Sequence, residues 1–531
     1  MPSRQFTQKP SVREPNLDPK FRRRSGYRLG PVIPACCIAG GLMLLAGCAS
    51  SESTPRSETM NESRAGAPQR LAAMDRLWEA AKAGAEPVES VRIELKDVAW
   101  NRDELEPLRL RAVRYLLEDT SPAGTADNRG VARLMLPTEP ARSIVAEFSR
   151  AAAENGWTEC TDALVRRLAV DDAGLAENDR IETVAIRSLH PGRTVDDVLY
   201  EQFIRPTEPA GFPVSLDWRG RTRAAAWRSL ARRDATGTAR PAILSRPLPG
   251  DVDDDTRATV AALRVAASDL GVQPETAMEF EWLRSLRDGS DANEVWWRES
   301  AAAVASARGR FTGALSLRHV EPIRWARQNR PEWLSAGRST LLDELESRQD
   351  ARDLVFRTFE FAVTRGRSQE RVSDWRGTLT WQDALAMLVV DEALRSPEVR
   401  SAMSSYTIAD RRDKDTEYGG VIDAGGVDGA FRAVLYPPRQ RDRKGDRQFV
   451  ASADMFAASD RALAHFHLQV LRDKNSDFAG PSSGDLGYVE RSGRTGVVLT
   501  SVRNDALNAD VYQPGGETVD LGTIEITPYE R

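Results

Sequence analysis

Residues 462–470 read Ala462-Leu463-Ala464-His465-Phe466-His467-Leu468-Gln469-Val470. The run is short, apolar and rich in residues that suit a pleated, buried strand. Side chains at i and i+2 leave a strand on the same face, so His465 and His467 stand side by side. Residues 419–422, 431–436, 496–502, 506–512 and 518–526 read as further strands, punctuated by Gly, Pro and Asn. A helix is expected after Asp485. The last part of the chain, 405–531, is therefore expected to be an α+β domain.

Upstream the period changes. Leu110, Val113 and Leu117 recur at helical spacing, as do Ile181, Val184, Ala185 and Leu189, and Leu164 with Leu168 behind Thr161 or Asp162 as a cap. Further helices are expected near 138–155, 219–233, 253–270, 275–288, 292–308, 338–362 and 380–396. The fold class is multidomain, with a mainly α-helical region over 68–395 ahead of the α+β domain. Short helices with tight turns over 100–235 suit either a HEAT-like solenoid or an irregular helical domain. Pro206, Pro209, Pro213, Pro241, Pro247 and Pro249 mark loops. All twelve tryptophans lie at or before Trp381. That shift places a boundary near 395–412, where the chain turns polar. Most of the tryptophans are expected in the helical core. Trp296 and Trp297 are neighbours on a helix, so one of them is expected to be exposed.

The chain opens differently. Pro31 to Gly47 carries no charge and follows Arg22, Arg23, Arg24 and Arg28. A basic flank before a short apolar run is the pattern of a secretory signal. The run is shorter than the roughly 20 residues of a spanning helix. It ends in Leu45-Ala46-Gly47-Cys48, which resembles the lipobox of bacterial lipoproteins. The resemblance implies a signal peptide over 1–47, a lipidated Cys48 and anchoring in the cell envelope. Ala49 after the cysteine implies the outer membrane or the periplasmic face of a membrane. The alternative is an uncleaved anchor with an ordinary cysteine. Residues 48–67 are rich in Ser, Thr and Glu and read as a flexible tether.

Apolar residues make up 41% and charged residues 29%, which fits ordinary globular domains. A net charge of −5 with both signs interspersed offers no face to a polyanion, so nucleic acid is not an expected partner. Cys36 and Cys37 leave with the signal and Cys48 is lipidated. Cys160 alone then remains, which excludes both an intramolecular disulfide and a cysteine metal site. Any metal must be held by His, Asp or Glu.

The chain has four histidines. His190 and His319 are isolated and read as structural. His465 and His467 are followed by Gly480-Pro481-Ser482-Ser483-Gly484-Asp485-Leu486 and preceded by Glu417-Tyr418-Gly419-Gly420. An acid before a glycine-containing strand, then H-x-H, then P-S-x-x-D-L resembles the JAB/MPN (JAMM) zinc metalloprotease family over 405–531. Leu468 stands where that family usually has Pro, and 468–481 is a longer spacer than the family's. The resemblance implies one zinc ion on His465, His467 and Asp485, with an open fourth position. It implies Glu417 as the general base and Ser482 as an oxyanion donor. The expected reaction is amide or isopeptide hydrolysis, on a peptide or protein of the cell envelope, with the helices as a docking module. Ser482 and Asp485 also read as a plain helix cap. The rival function is a non-catalytic envelope scaffold that uses helical repeats and a JAB-like fold to bind protein. No phosphate-binding loop, G-x-S-x-G elbow or H-E-x-x-H helix occurs.

Overall fold

The computed structural model describes residues 66–170, 175–207, 209, 217–234, 237–356, 358–361, 364–425, 430–445 and 449–527. The signal segment, Cys48 and the tether up to residue 65 lie outside the described residues, as does Pro213.

The first described helices are Ala67–Lys82, Val88–Trp100, Glu106–Glu118, Pro122–Met135, Arg142–Glu154, Thr161–Leu168, Ile181–Leu189, Val195–Ile204 and Trp218–Arg233. Local chemistry sets their starts. Ser121 caps one by accepting from the Gly124 amide and Thr194 another by accepting from Asp197, and Pro122 stands at the first turn of its helix. Each of these helices but the last packs on its next or next-but-one successor, and Trp218–Arg233 packs back on Thr161–Leu168 and Val195–Ile204. Buried arginines tie the layers. Arg92 donates to Asp119 (3.0 Å) and Asp127 (2.6 Å), and Arg109 makes a two-pronged pair with Glu139.

The apolar stripes sit slightly round from where the periodicity places them. Leu108, Ala112, Val113 and Leu116 are fully buried, whereas Leu110 and Leu117 lie at the margin, and Val184 is 44% exposed. Trp296 and Trp297 are both buried, contrary to the expectation that one faces solvent. Their helix, Asp291–Ala307, is covered on two sides. Trp296 donates to Glu321 (2.5 Å) and Trp297 to Asp269 (2.9 Å).

The expected helix over 338–362 stops at Asp350. Beyond it the backbone docks on a sheet edge, with Thr523 N–H donating to the Asp353 carbonyl (3.0 Å) and Val355 N–H to the Asp520 carboxylate (2.9 Å). Strands β1 (Thr358–Phe361) and β2 (Thr364–Arg367) then form an antiparallel ribbon. Several helices escape the periodicity, among them Val88–Trp100, Val195–Ile204, Leu317–Asn329 and Pro397–Arg412. Leu317–Asn329 contains Pro322, and the polar segment after 395 is the helix Pro397–Arg412, capped by Ser396.

Six strands form the second sheet: β3 (Gly419–Asp423), β4 (Arg432–Leu435), β5 (Ala462–Gln469), β6 (Gly496–Arg503), β7 (Ala506–Tyr512) and β8 (Thr518–Glu525). Their order is β4-β3-β5-β6-β7-β8, and only β5 and β6 run parallel. A parallel pair needs a crossover. Here it is the helix Ser483–Ser492. In β8, Gly522 at φ +77° marks a bulge that Cβ-bearing residues resist, because Asn508 pairs with Thr523 but Asp510 with Asp520.

One face of this sheet carries Ile422, Ala464, Phe466, Leu468, Val497, Leu499, Leu507, Ala509 and Val511. It packs on Leu317–Asn329, Arg338–Asp350 and Trp381–Arg395, so the helices and the sheet share a continuous core. The opposite face carries His465 and His467. Among the described residues no helix is long and apolar enough to cross a membrane.

Candidate functional site

Register builds the site. His467 lies opposite Gly419 on β3 and beside Val498 on β6, and His465 lies opposite Val421 and beside Gly496. Both rings therefore project from one face, each 4% exposed. Gly496 makes room across the sheet, since a Cβ there would meet the Tyr512 ring at 2.3 Å. Tyr512 pairs with Gly496 from β7, which brings its ring over the same face.

Each imidazole is held through its Nδ1. His465 Nδ1 stands 2.5 Å from the Tyr488 hydroxyl and His467 Nδ1 3.5 Å from the Tyr512 hydroxyl. Both Nε2 atoms are buried and have no hydrogen-bond partner. Phe449 stacks on His467, and Phe456 and Tyr488 flank His465. Burial, then the Arg494 charge, pushes the His465 pKa well below its usual value, so the ring is neutral. Burial likewise raises the pKa of Tyr488.

The third expected ligand arrives on the crossover helix. Ser482 is its N-cap and forms a reciprocal box with Asp485. Ser482 Oγ accepts from the Asp485 amide (3.3 Å), and the Asp485 carboxylate accepts from the Ser482 amide (2.7 Å) through Oδ2. Oδ1 of Asp485 points the other way and lies 3.6 Å from His467 Nε2. The Asp485 side chain is 21% exposed against 5% for His467, so the site opens towards solvent on the aspartate side.

Glu417 precedes β3 and is half-buried. Strand alternation from Gly419 places it on the histidine face, one step beyond His467. Its charge reaches the same neighbourhood. The Tyr512 phenol is driven well above its usual pKa, first by burial and then by Asp485, Tyr488 and Glu417.

The five residues expected from sequence thus gather around one sheet face. Tyr488, Tyr512, Phe449 and Phe456 were not expected there. Tyr488 carried one legible signal, being three residues past Asp485 on the same helical face. As the side chains stand, no group of three or more His, Cys, Asp or Glu residues among those described is placed to hold a metal ion. One oxygen of Asp485 is engaged by its own helix, which leaves the other to face His467.

No family model, curated protein or solved structure matches this chain.

The other histidines have structural partners. His190 Nε2 meets Thr161 Oγ1 at 2.9 Å, and His319 helps cap its helix and contacts Asp383 at 2.9 Å. Cys160 is buried, and burial pushes its thiol up to about 12, so it is not a nucleophile. A cavity of about 380 Å³ lies elsewhere, lined by Trp296, Glu321, Arg324, Asp423 and Arg432 among others. None of the five expected residues lines it.

Proposed function

We propose that this chain is a zinc-dependent amide or isopeptide hydrolase of JAB/MPN type, tethered to a membrane of the cell envelope through Cys48. The observation that carries the catalytic half is the pair of buried Nε2 atoms without partners, on rings whose Nδ1 atoms are held by tyrosine hydroxyls. Metal-binding imidazoles commonly donate Nδ1–H to an oxygen and so present Nε2. The donor set suits zinc: two imidazole nitrogens and one carboxylate oxygen. Two ligands about 2.1 Å from a tetrahedral zinc stand ~3.4 Å apart. His467 Nε2 and Asp485 Oδ1 are 3.6 Å apart.

Zinc, when bound, supplies a Lewis acid to a water and to an amide carbonyl. The residues do the rest. Glu417 takes the proton from the attacking water and hands it to the leaving amine. Ser482 Oγ, fixed by the Asp485 amide, keeps its own proton to donate to the developing oxyanion. Phe449 and Phe456 exclude bulk water from the histidines. Substrate class follows from the anchor: a peptide or protein presented in the envelope. The membrane half rests on the basic flank, the apolar run and Leu45-Ala46-Gly47-Cys48.

Elemental analysis of the purified chain tests the site. One zinc per chain is expected, and none in His467→Ala or Asp485→Ala. A wild-type chain that stays zinc-free after reconstitution overturns the hydrolase and leaves a lipoprotein scaffold. Tyr488→Phe is a separate test of positioning. Zinc affinity, read by competition with a chelator, should fall about 10–100-fold, with the thermal unfolding of the metal-free chain little changed. Equal affinity in that variant would show that Tyr488 merely fills space.

A further inference from the structure

The nitrogens that would hold a metal are out of reach of a peptide as the chain stands. Each histidine is 4% exposed, and both Nε2 atoms are buried. A substrate carbonyl must come within about 2 Å of a zinc ion to be polarised by it. Two separate elements close the site. One is the crossover helix, which brings Asp485 and Tyr488. The other is the stretch from Phe449 to Asp460, which contains the helix Ala453–Ala458. Phe449 lies parallel to the His467 ring, with centroids 6.3 Å apart. Phe456 lies 5.8 Å from the His465 ring and 6.2 Å from the Tyr488 ring.

The two covers are not held alike. The crossover helix is tied down near its end, where Glu490 accepts from Arg228 (2.7 Å) and from the Gly515 amide (3.1 Å). The second cover rests on little. Its helix has six residues, too few to be stable alone. Among them only Met455 is buried. Met455 seats on Val421 and Ala462 in a small cluster apart from the continuous core, edged by Phe449 and Ala451. The ion pair of Asp454 with Arg439 is exposed and contributes little. Segments with few buried apolar contacts open locally at low cost in free energy.

Its far end is firm. The Ser459 carbonyl accepts from Arg494 (2.6 Å) and the Asp460 carbonyl from Trp282 Nε1 (2.7 Å). Ser285 Oγ donates to the Asp460 carboxylate. Trp282 and Ser285 belong to the helix Ala277–Leu286, whose start is fixed by the reciprocal box of Thr276 and Glu279. A cover that is loose over the histidines and fixed at one end has the mechanics of a lid.

We propose that residues 449–460 are a lid on the histidine pair, latched at Asp460 by Trp282 and Ser285, which lifts off Val421 to admit a peptide. Its substrate rests on the hydrolase reading, whereas the motion belongs to the chain with or without metal. Closed, Phe449 and Phe456 keep the histidines dry. Open, the lid uncovers both rings from the β3 side while Tyr488 and Tyr512 hold their Nδ1 atoms in place. The helical region thereby acts on the site, because a partner that shifts the helix Ala277–Leu286 slackens the latch and raises the open population.

Carbethoxylation by diethyl pyrocarbonate, read histidine by histidine by mass spectrometry on the full chain stripped of metal, measures the opening. His190, half-buried, is the reactive reference, and His319, 1% exposed, reports unfolding of the helical core. In the wild type His465 and His467 should react more slowly than His190 and faster than His319. Ser285→Ala removes one hydrogen bond from the latch and should speed both about tenfold, with His319 unchanged. Met455→Ala, which removes the only buried side chain of the lid helix, should speed them further. Rates as fast as His190 in the wild type would mean that nothing covers the pair, and would overturn the lid. Rates no faster than His319 in the wild type and in both variants would mean that the pair is exposed only by global unfolding, and would overturn it equally. Zinc content judges the hydrolase separately: a chain that binds no zinc but shows the expected rates keeps the moving cover and loses the enzyme.

Discussion

Glu417→Gln is expected to lower amide hydrolysis by about 10²–10⁴-fold, the usual contribution of a positioned proton carrier, while zinc content stays at one per chain. Glutamine keeps the shape of the side chain at the entry to β3 and cannot accept the water proton. The expectation rests on placement. Glu417 stands on the histidine face, one step past His467, and its charge acts on Tyr512 together with that of Asp485. The measurement pairs single-turnover hydrolysis of a peptide library with metal analysis of the same sample. Hydrolysis at the wild-type rate would remove Glu417 from the chemistry. Loss of zinc along with activity would make it a ligand or a support instead.

Asp391→Ala carries the largest expected effect on folding, a loss of about 3–5 kcal/mol, typical of breaking a buried charge cluster from one side. Asp391 has no solvent exposure, and three arginines converge on it. Arg348 reaches Oδ2 (3.0 Å), Arg395 reaches Oδ1 (3.0 Å), and Arg352 spans both oxygens. Burial alone would raise its pKa; Arg352, Arg395 and Arg348 outweigh that and hold it below the usual range. Arg352 and Arg395 also donate to the Leu521 carbonyl of β8. Removing Asp391 leaves their charges stranded between the Trp381–Arg395 helix and the sheet. Denaturant unfolding reads the effect, and Asp391→Asn should recover part of it. A change within 0.5 kcal/mol, the scatter of surface substitutions, would refute the role.

The strands of the second sheet were legible because each alternates or runs apolar over a few residues between Gly, Pro and Asn. The set read over 419–526 corresponds to β3–β8 with ends shifted by a residue or so. The ribbon β1–β2 was not legible, because tertiary docking of 351–355 on β8 ends a helix whose local pattern runs on. The Leu317–Asn329 helix was hidden by Pro322. At the site, i and i+2 spacing gave the histidine pair, and the Ser482–Asp485 box is the helix cap that the sequence also offered. The tyrosines were harder. Nothing in a linear reading says that Tyr512 reaches across β6 to His467. The acids at 510 and 520 mislead in another way. Polar residues at alternate strand positions ordinarily face water. Here the loop at Gly480 covers Asp510, and the segments at Val355 and Glu370 cover Asp520, so both are interior.

The turn between that helix and β6 has a further consequence. Arg494 lies with its guanidinium 3.9 Å over the ring of Trp282, a residue of the helix Ala277–Leu286, and donates to the Ser459 carbonyl (2.6 Å). Trp282 in turn donates to the Asp460 carbonyl (2.7 Å), and a Cβ on Gly493 would strike Glu279. The strand that begins at Gly496 beside His465 is therefore walled by residues far upstream. Residues 405–531 cut free of the chain before them would bare Arg494 and the start of β6 to water.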